Sequence, residues 1–236
     1  MMLGLAADYR PCRSTLSREA RVSAKLQHVR LILASASPRR RELLSALDVP
    51  FTVRPANAEE DVDPAQAPEA AVRSIAERKA TAARAANGGQ SLVLAADTVV
   101  VLDGRVLGKP ADAPEARGML AALAGRRHDV YTAVVVCDGE RRISETVCTG
   151  VTMRQYSTDE IEASIAAGTP FDKAGGYAIQ DPLLRPVEQF DGCYCNVMGL
   201  PLWTVRDLLL HLRPGIRTHS PDSVFDRCVR CPARPE

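Results

Sequence analysis

LILASASPRRRELLSAL, residues 31–47, passes from an apolar run through a short turn into three consecutive arginines. Leu31 to Ala34 have the continuous apolar character of a short strand covered on both faces. Ser35 to Pro38 break that run. Ser37 suits an N-cap and Pro38 the first helical position, which places Arg39, Arg40 and Arg41 in or near the first turn of a helix. A helix N-terminus carries free N–H groups and a partial positive charge, so clustered arginines are unfavourable there by themselves. A phosphate chain on those N–H groups, with guanidiniums as bidentate partners, resolves the conflict. A solvated basic triplet is the alternative; the strand-to-helix position favours the anion.

The chain of 236 residues has room for one large or two small domains, and 46% hydrophobic with 25% charged residues permits a substantial core. A net charge of +1 argues against nucleic-acid binding through bulk charge, and 4% aromatics leave little surface for base stacking, so anion recognition has to be local. Seven scattered cysteines fit a reduced, cytoplasmic setting better than a disulfide framework. No apolar run approaches membrane-spanning length, and residues 1–29 lack the apolar core and cleavage site of a secretory signal. They read as a flexible extension.

Beyond the first helix, PFTVRPA reads as a second short strand and NAEEDVDPAQAPEA as an acidic, proline-punctuated loop. From about Ala70 to Ala86 the pattern is helical, with Val72, Ile75, Ala76, Lys79 and Ala80 on one face. SLVLAADTVVVLDGRVLGKP predicts a long strand, a DG turn and a short return strand. Asp112 caps a helix from Ala113 to Leu123, and Val130–Cys137 with Ile143–Met153 form a hairpin. Ser157 and Glu160 form a capping box before a helix ended by Gly168. TPFDKAGGYAIQ is a glycine-bearing loop, a strand runs from Leu184 to Phe190, and a last helix spans Leu202 to Leu212. Residues 213–236 are polar, proline-bearing and expected to be a loose tail.

Asp97 interrupts the run LVLAADTVVV, where a carboxylate is costly unless it is paired with a cation or ends the buried part of the strand. The local sequence leaves both open. With an acidic loop holding Glu59, Glu60, Asp61 and Asp63, a strand carboxylate is enough to hold Mg²⁺ against substrate phosphates. Lys79, Lys109 and Lys173 are point charges suited to phosphate oxygens or, equally, ordinary surface lysines. Cys193 and Cys195 are spaced CxC, and Cys228 and Cys231 form a single CxxC. Neither pair has a clear second pair at zinc-site spacing, so a structural metal is not expected.

Five ordered segments together resemble the Maf, or septum-formation-inhibitor, family of nucleotide pyrophosphatases. They are LASASPRR at 33–40, AERKA at 76–80, AADTVV at 95–100, LGKPAD at 107–112 with RRHDVYTAV at 126–134, and DKAGGYAIQ at 172–180 followed by NVMGLPL at 196–202. The resemblance runs from about Leu31 to Leu212. It implies a mixed α/β, elongated, two-lobed fold like that of inosine-triphosphate pyrophosphatases, with a mixed central sheet and a cleft between the lobes. It also implies hydrolysis of a nucleoside triphosphate to monophosphate and pyrophosphate with Mg²⁺ or Mn²⁺, and is compatible with a homodimer. Carried over by motif, Asp97 is the proton acceptor and a metal ligand, Glu60 lies near the metal, and Ser37, Arg40, Lys79, Lys109 and Lys173 line the phosphate cleft.

The subgroup acting on dTTP and UTP resembles this chain at Arg39, Thr98 and Gln180, whereas the 7-methyl-GTP subgroup has tryptophan in place of the first arginine. A planar donor and an amide read a uracil edge by hydrogen bonds; a methylated purine gains from aromatic stacking. Two departures stand out: Thr169 replaces a usual glutamate, and GCYCN replaces a serine- and tyrosine-containing turn. The missing glutamate motivates a second reading, a non-catalytic nucleotide-binding regulator of cell division. A third lets the CVRC tail dock metal or a partner.

Overall fold

Ser37 makes the predicted cap, its hydroxyl accepting from the Arg40 N–H at 3.4 Å, and β1 (Leu31–Leu33) hands over to α1 (Pro38–Ser45) as the sequence implies. The computed structural model describes residues 31–56, 58, 66–89 and 91–235. The expected N-terminal extension and Glu60 lie outside the described residues.

β2 (Phe51–Val53) and α2 (Pro68–Ala86) follow, then β3 (Leu92–Leu102), β4 (Arg105–Leu107) and α3 (Ala113–Leu123). β5 (Arg127–Asp138) and β6 (Arg141–Met153) form the hairpin, and α4 (Thr158–Ala166) carries the capping box. β7 (Val187–Asp191), α5 (Tyr194–Val197) and α6 (Leu202–Leu212) complete the regular elements. The strands build one mixed sheet in the order β2-β1-β3-β5-β6-β7, with β4 on β3; β1 is parallel to β2 and β3, and the other pairings are antiparallel. No helix among the described residues is long and apolar enough to cross a membrane.

The two-residue period of β3 divides its side chains between the faces. Val93, Ala95 and Val99 pack with Val72, Ala76 and Ala80 of α2, whereas Leu92, Leu94 and Ala96 pack with Leu43 and Leu44 of α1 and Trp203 and Val205 of α6. Farther along, Val100 and Leu102 enter a separate cluster with Leu120, Leu123 and Ile161 from α3 and α4. β3 thus runs from one part of the core into another.

Two regions depart from the sequence expectation. The last strand begins at Val187 rather than Leu184, because the Asp181 carboxylate accepts the N–H groups of Leu183 and Leu184 and holds them in a turn. Residues 213–235 form two short 3₁₀ turns, Pro221–Ser223 and Asp226–Arg230, and seat Cys228 and Cys231 in the core. The Trp203 indole N–H donates to the Cys228 carbonyl at 3.1 Å and helps hold this segment down. Polar composition concealed that anchoring.

Candidate active site

β1 pairs with β3 from Leu92 to Leu94, and β4 pairs with the same edge from Val100 to Leu102, while β5 occupies the opposite edge. Among the described residues, the edge from Ala95 to Val99 has no strand beside it. A cavity of about 520 Å³ opens at this break, lined by the ends of β1 and α1, the middle of β3, Lys79, the 172–180 loop and the turn at 197–199.

Asp97 sits at the middle of the break on the face covered by α2, and Lys79 of α2 donates to its Oδ1 at 2.6 Å. Both residues are nearly buried, at 9% and 8% exposure. This settles the alternative left by the sequence: the carboxylate is paired with a cation within the strand.

Thr98 points to the other face and joins a hydrogen-bonded relay. The Arg40 guanidinium donates to Thr98 Oγ1 at 3.0 Å, to the Gly199 carbonyl at 2.8 Å and to Ser35 Oγ at 3.3 Å. Thr132 lies 2.9 Å from Thr98 and donates to the Asn196 carbonyl at 3.0 Å. A hydroxyl has a single proton, so Thr98 must donate to Thr132. The arginine cluster is therefore partly satisfied by the protein itself, and Arg40 fastens α1 to β3 and to the 197–199 turn.

Arg39 reaches across the cavity to Asp172, with a 3.0 Å ion pair. Burial pushes the Asp172 carboxyl up, but hydrogen bonds from Lys173 and Arg39 and their charges outweigh it and hold the group below its ordinary range. Lys173 also donates to the Thr169 carbonyl. The Gly175 N–H donates to the Gly108 carbonyl at 2.9 Å, joining the Lys109 and Lys173 loops. Gly175 has φ +68°, and a Cβ there would lie 3.1 Å from Val100, so the close approach requires glycine. Behind the loop, Tyr177 and buried His128 share a 2.6 Å hydrogen bond. Burial, reinforced by the Arg127 charge, lowers the His128 pKa to about 4.

Ser37, Arg39, Arg40, Lys79, Asp97, Thr98, Lys109, Lys173 and Gln180 all line this one cavity. Sequence reasoning missed Ser35, Asp172, Tyr177, Met198 and Gly199, which line it too. Asp172 and Tyr177 were visible inside DKAGGY; Ser35 and Gly199 matter through contacts that no local pattern reports. Thr169 is absent from the lining: its hydroxyl lies 2.6 Å from Ser164 Oγ at the end of α4. For a hard cation, Asp97 and Asp172 supply the carboxylates at the cavity among the described residues, Asp97 with its Oδ1 on Lys79 and Asp172 paired with Arg39. Mg²⁺ needs only one or two carboxylates when substrate phosphates complete its shell, so these residues fit such an ion.

A family model described as Maf-like protein matches residues 30–212. A dTTP/UTP pyrophosphatase of Thermomicrobium roseum is 52% identical over 206 residues, covering 87% of this chain and 94% of its own. A dTTP/UTP pyrophosphatase of Moorella thermoacetica is 48% identical over 182 residues, covering 76% and 93%. A solved nucleoside-triphosphatase / dITP/XTP pyrophosphatase from Mycobacterium abscessus overlays at a TM-score of 0.37 and 17% identity, over 54% of this chain and 75% of its own.

Proposed function

Because the chain belongs to the Maf family, we propose that it hydrolyses dTTP and UTP to the monophosphate and pyrophosphate. The observation that carries this reading is the buried Lys79–Asp97 pair at the floor of a cavity whose walls hold Arg39, Lys109 and Lys173.

Asp97 accepts a proton from water as the water oxygen bonds to the α-phosphorus. The bond from that phosphorus to the bridging oxygen breaks, and pyrophosphate leaves. Lys79 holds the Asp97 carboxylate in place through its hydrogen bond to Oδ1. Lys109 and Lys173 meet the phosphate oxygens, and positioning with charge neutralisation supplies most of the acceleration. Mg²⁺ or Mn²⁺, held by Asp97 and Glu60, would contribute further neutralisation of the phosphates. Ser37 and Arg40 set the geometry of the α1 entrance. Arg39 and Gln180 present hydrogen-bonding groups to the base, while Thr98, its hydroxyl committed to the relay, acts by holding Arg40.

The test is a panel of nucleoside triphosphates with Mg²⁺ or Mn²⁺, run on the wild type and on Asp97→Asn. Pyrophosphate release from dTTP and UTP by the wild type, lost in the variant, is expected. Cleavage of another triphosphate with inertness to both pyrimidines would reject the substrate assignment.

A further inference from the structure

Outside the cleft, the chain gathers four cysteines that are far apart in sequence. Cys193 and Cys195 come from the turn entering α5, and Cys228 and Cys231 from the final 3₁₀ segment. All four are buried, at 4%, 1%, 2% and 7% exposure. The Cys195 and Cys228 sulfurs are 3.5 Å apart, and the Cys193 side chain neighbours those of Cys195 and Cys231. Tetrahedral zinc with Zn–S bonds near 2.3 Å places its sulfurs about 3.8 Å apart, close to this spacing, whereas a disulfide requires about 2.05 Å.

Arg227, stacked 4.6 Å from the Tyr194 ring, brings a cation beside the CxC turn. The other described cysteines, Cys137 and Cys148, belong to the sheet and take no part. As they stand, no group of three or more His, Cys, Asp or Glu side chains among the described residues has the arrangement that holds a metal ion, so binding would draw these sulfurs together. The thiols instead meet through sulfur contacts, which metal–sulfur bonds replace when the protons leave.

We propose that Cys193, Cys195, Cys228 and Cys231 bind one zinc ion as a structural Cys₄ site that pins the C-terminal segment to the turn at α5. Each Zn–S bond forms as an S–H bond breaks and its proton passes to solvent. A closed four-thiolate shell leaves no open position for catalysis, so the effect on the cleft is mechanical. Cys193 exchanges hydrogen bonds with Thr149, Asn196 donates to Thr149, and Thr132 donates to the Asn196 carbonyl. That path reaches Thr98 and Arg40.

Zinc content is measured by elemental analysis of protein purified under reducing conditions without added metal, together with Co²⁺ substitution. About one zinc per chain, and a Co²⁺ spectrum with thiolate charge-transfer and intense tetrahedral d–d bands, are expected. Cys228→Ser with Cys231→Ser should lose the ion; Cys148→Ser and Asp97→Asn should keep it. Wild-type protein with no zinc and no thiolate–Co²⁺ spectrum would overturn the proposal whether or not the double variant folds. So would mass-spectrometric detection of disulfides joining these cysteines, or iron in place of zinc. None of these readouts depends on which nucleotide is cleaved.

Discussion

Lys79 and Asp97 face each other across 2.6 Å although they belong to different elements, α2 and β3, and their side chains retain only 10% and 12% exposure. Each makes the other tolerable in the core. Replacing Lys79 with methionine leaves a buried carboxylate without its cation, a change that costs about 3–5 kcal/mol in comparable sites. Urea denaturation should show this loss. Asp97→Asn should remain folded and lose about 100- to 10,000-fold in kcat; retained turnover would move the general base elsewhere.

Gly199 has φ +104°, and a Cβ there would lie 3.3 Å from Thr98 Oγ1 and 3.5 Å from Arg40 Nε. Gly199→Ala should therefore cost about 1–3 kcal/mol through backbone strain and displace the guanidinium from the relay. A raised KM for dTTP and a lower urea midpoint are the expected pair of results. Unchanged values for both would mean that the Arg40–Gly199 contact is dispensable.

The Arg39–Asp172 ion pair fixes a planar donor on the cavity wall. Asp172→Ala should raise KM more than it lowers kcat if, as proposed, Asp97 carries the chemistry. Arg39→Trp should erode the preference for dTTP and UTP over purine triphosphates on the same panel. An unaltered preference would remove Arg39 from base selection without touching the phosphate site.

His128 links pH to stability. Its folded pKa of about 4, set first by burial and then by Arg127, lies below the ordinary value of 6.5. As pH falls below 6.5, the unfolded chain takes up this proton before the folded one does. Stability is complete above that value and declines until pH reaches about 4, by about 3 kcal/mol in all. Urea midpoints measured from pH 7 to 4 should fall for the wild type, and His128→Gln should flatten this component.

Much of the site was legible because its signals are local. Ser37 followed by Pro38 announces a helix start, and Asp97 within LVLAADTVVV announces a carboxylate needing a partner. The identity of that partner was less accessible, since the meeting of Lys79 with Asp97 depends on how α2 lies across the sheet. The cysteines were harder still. CxC and CxxC are separated by more than thirty residues, and each is unremarkable until Trp203 and the 3₁₀ turn bring the tail back to α5. The strand expected at Leu184 failed for a related reason: Asp181 captures the N–H groups that strand pairing would have used.

The unaccompanied stretch of β3 also bears on how the molecule reaches its working form. One end of the break is bounded by the β3–β4 hairpin, closed by the two residues Asp103 and Gly104. The other end is bounded by β1, whose Leu31–Leu33 must find Leu92–Leu94 across the intervening α1, β2 and α2. Hairpins of the first kind form rapidly, while parallel pairing over a long loop is slow. On dilution from denaturant, sheet signal from the hairpins should return first, and enzymatic competence should follow the arrival of β1.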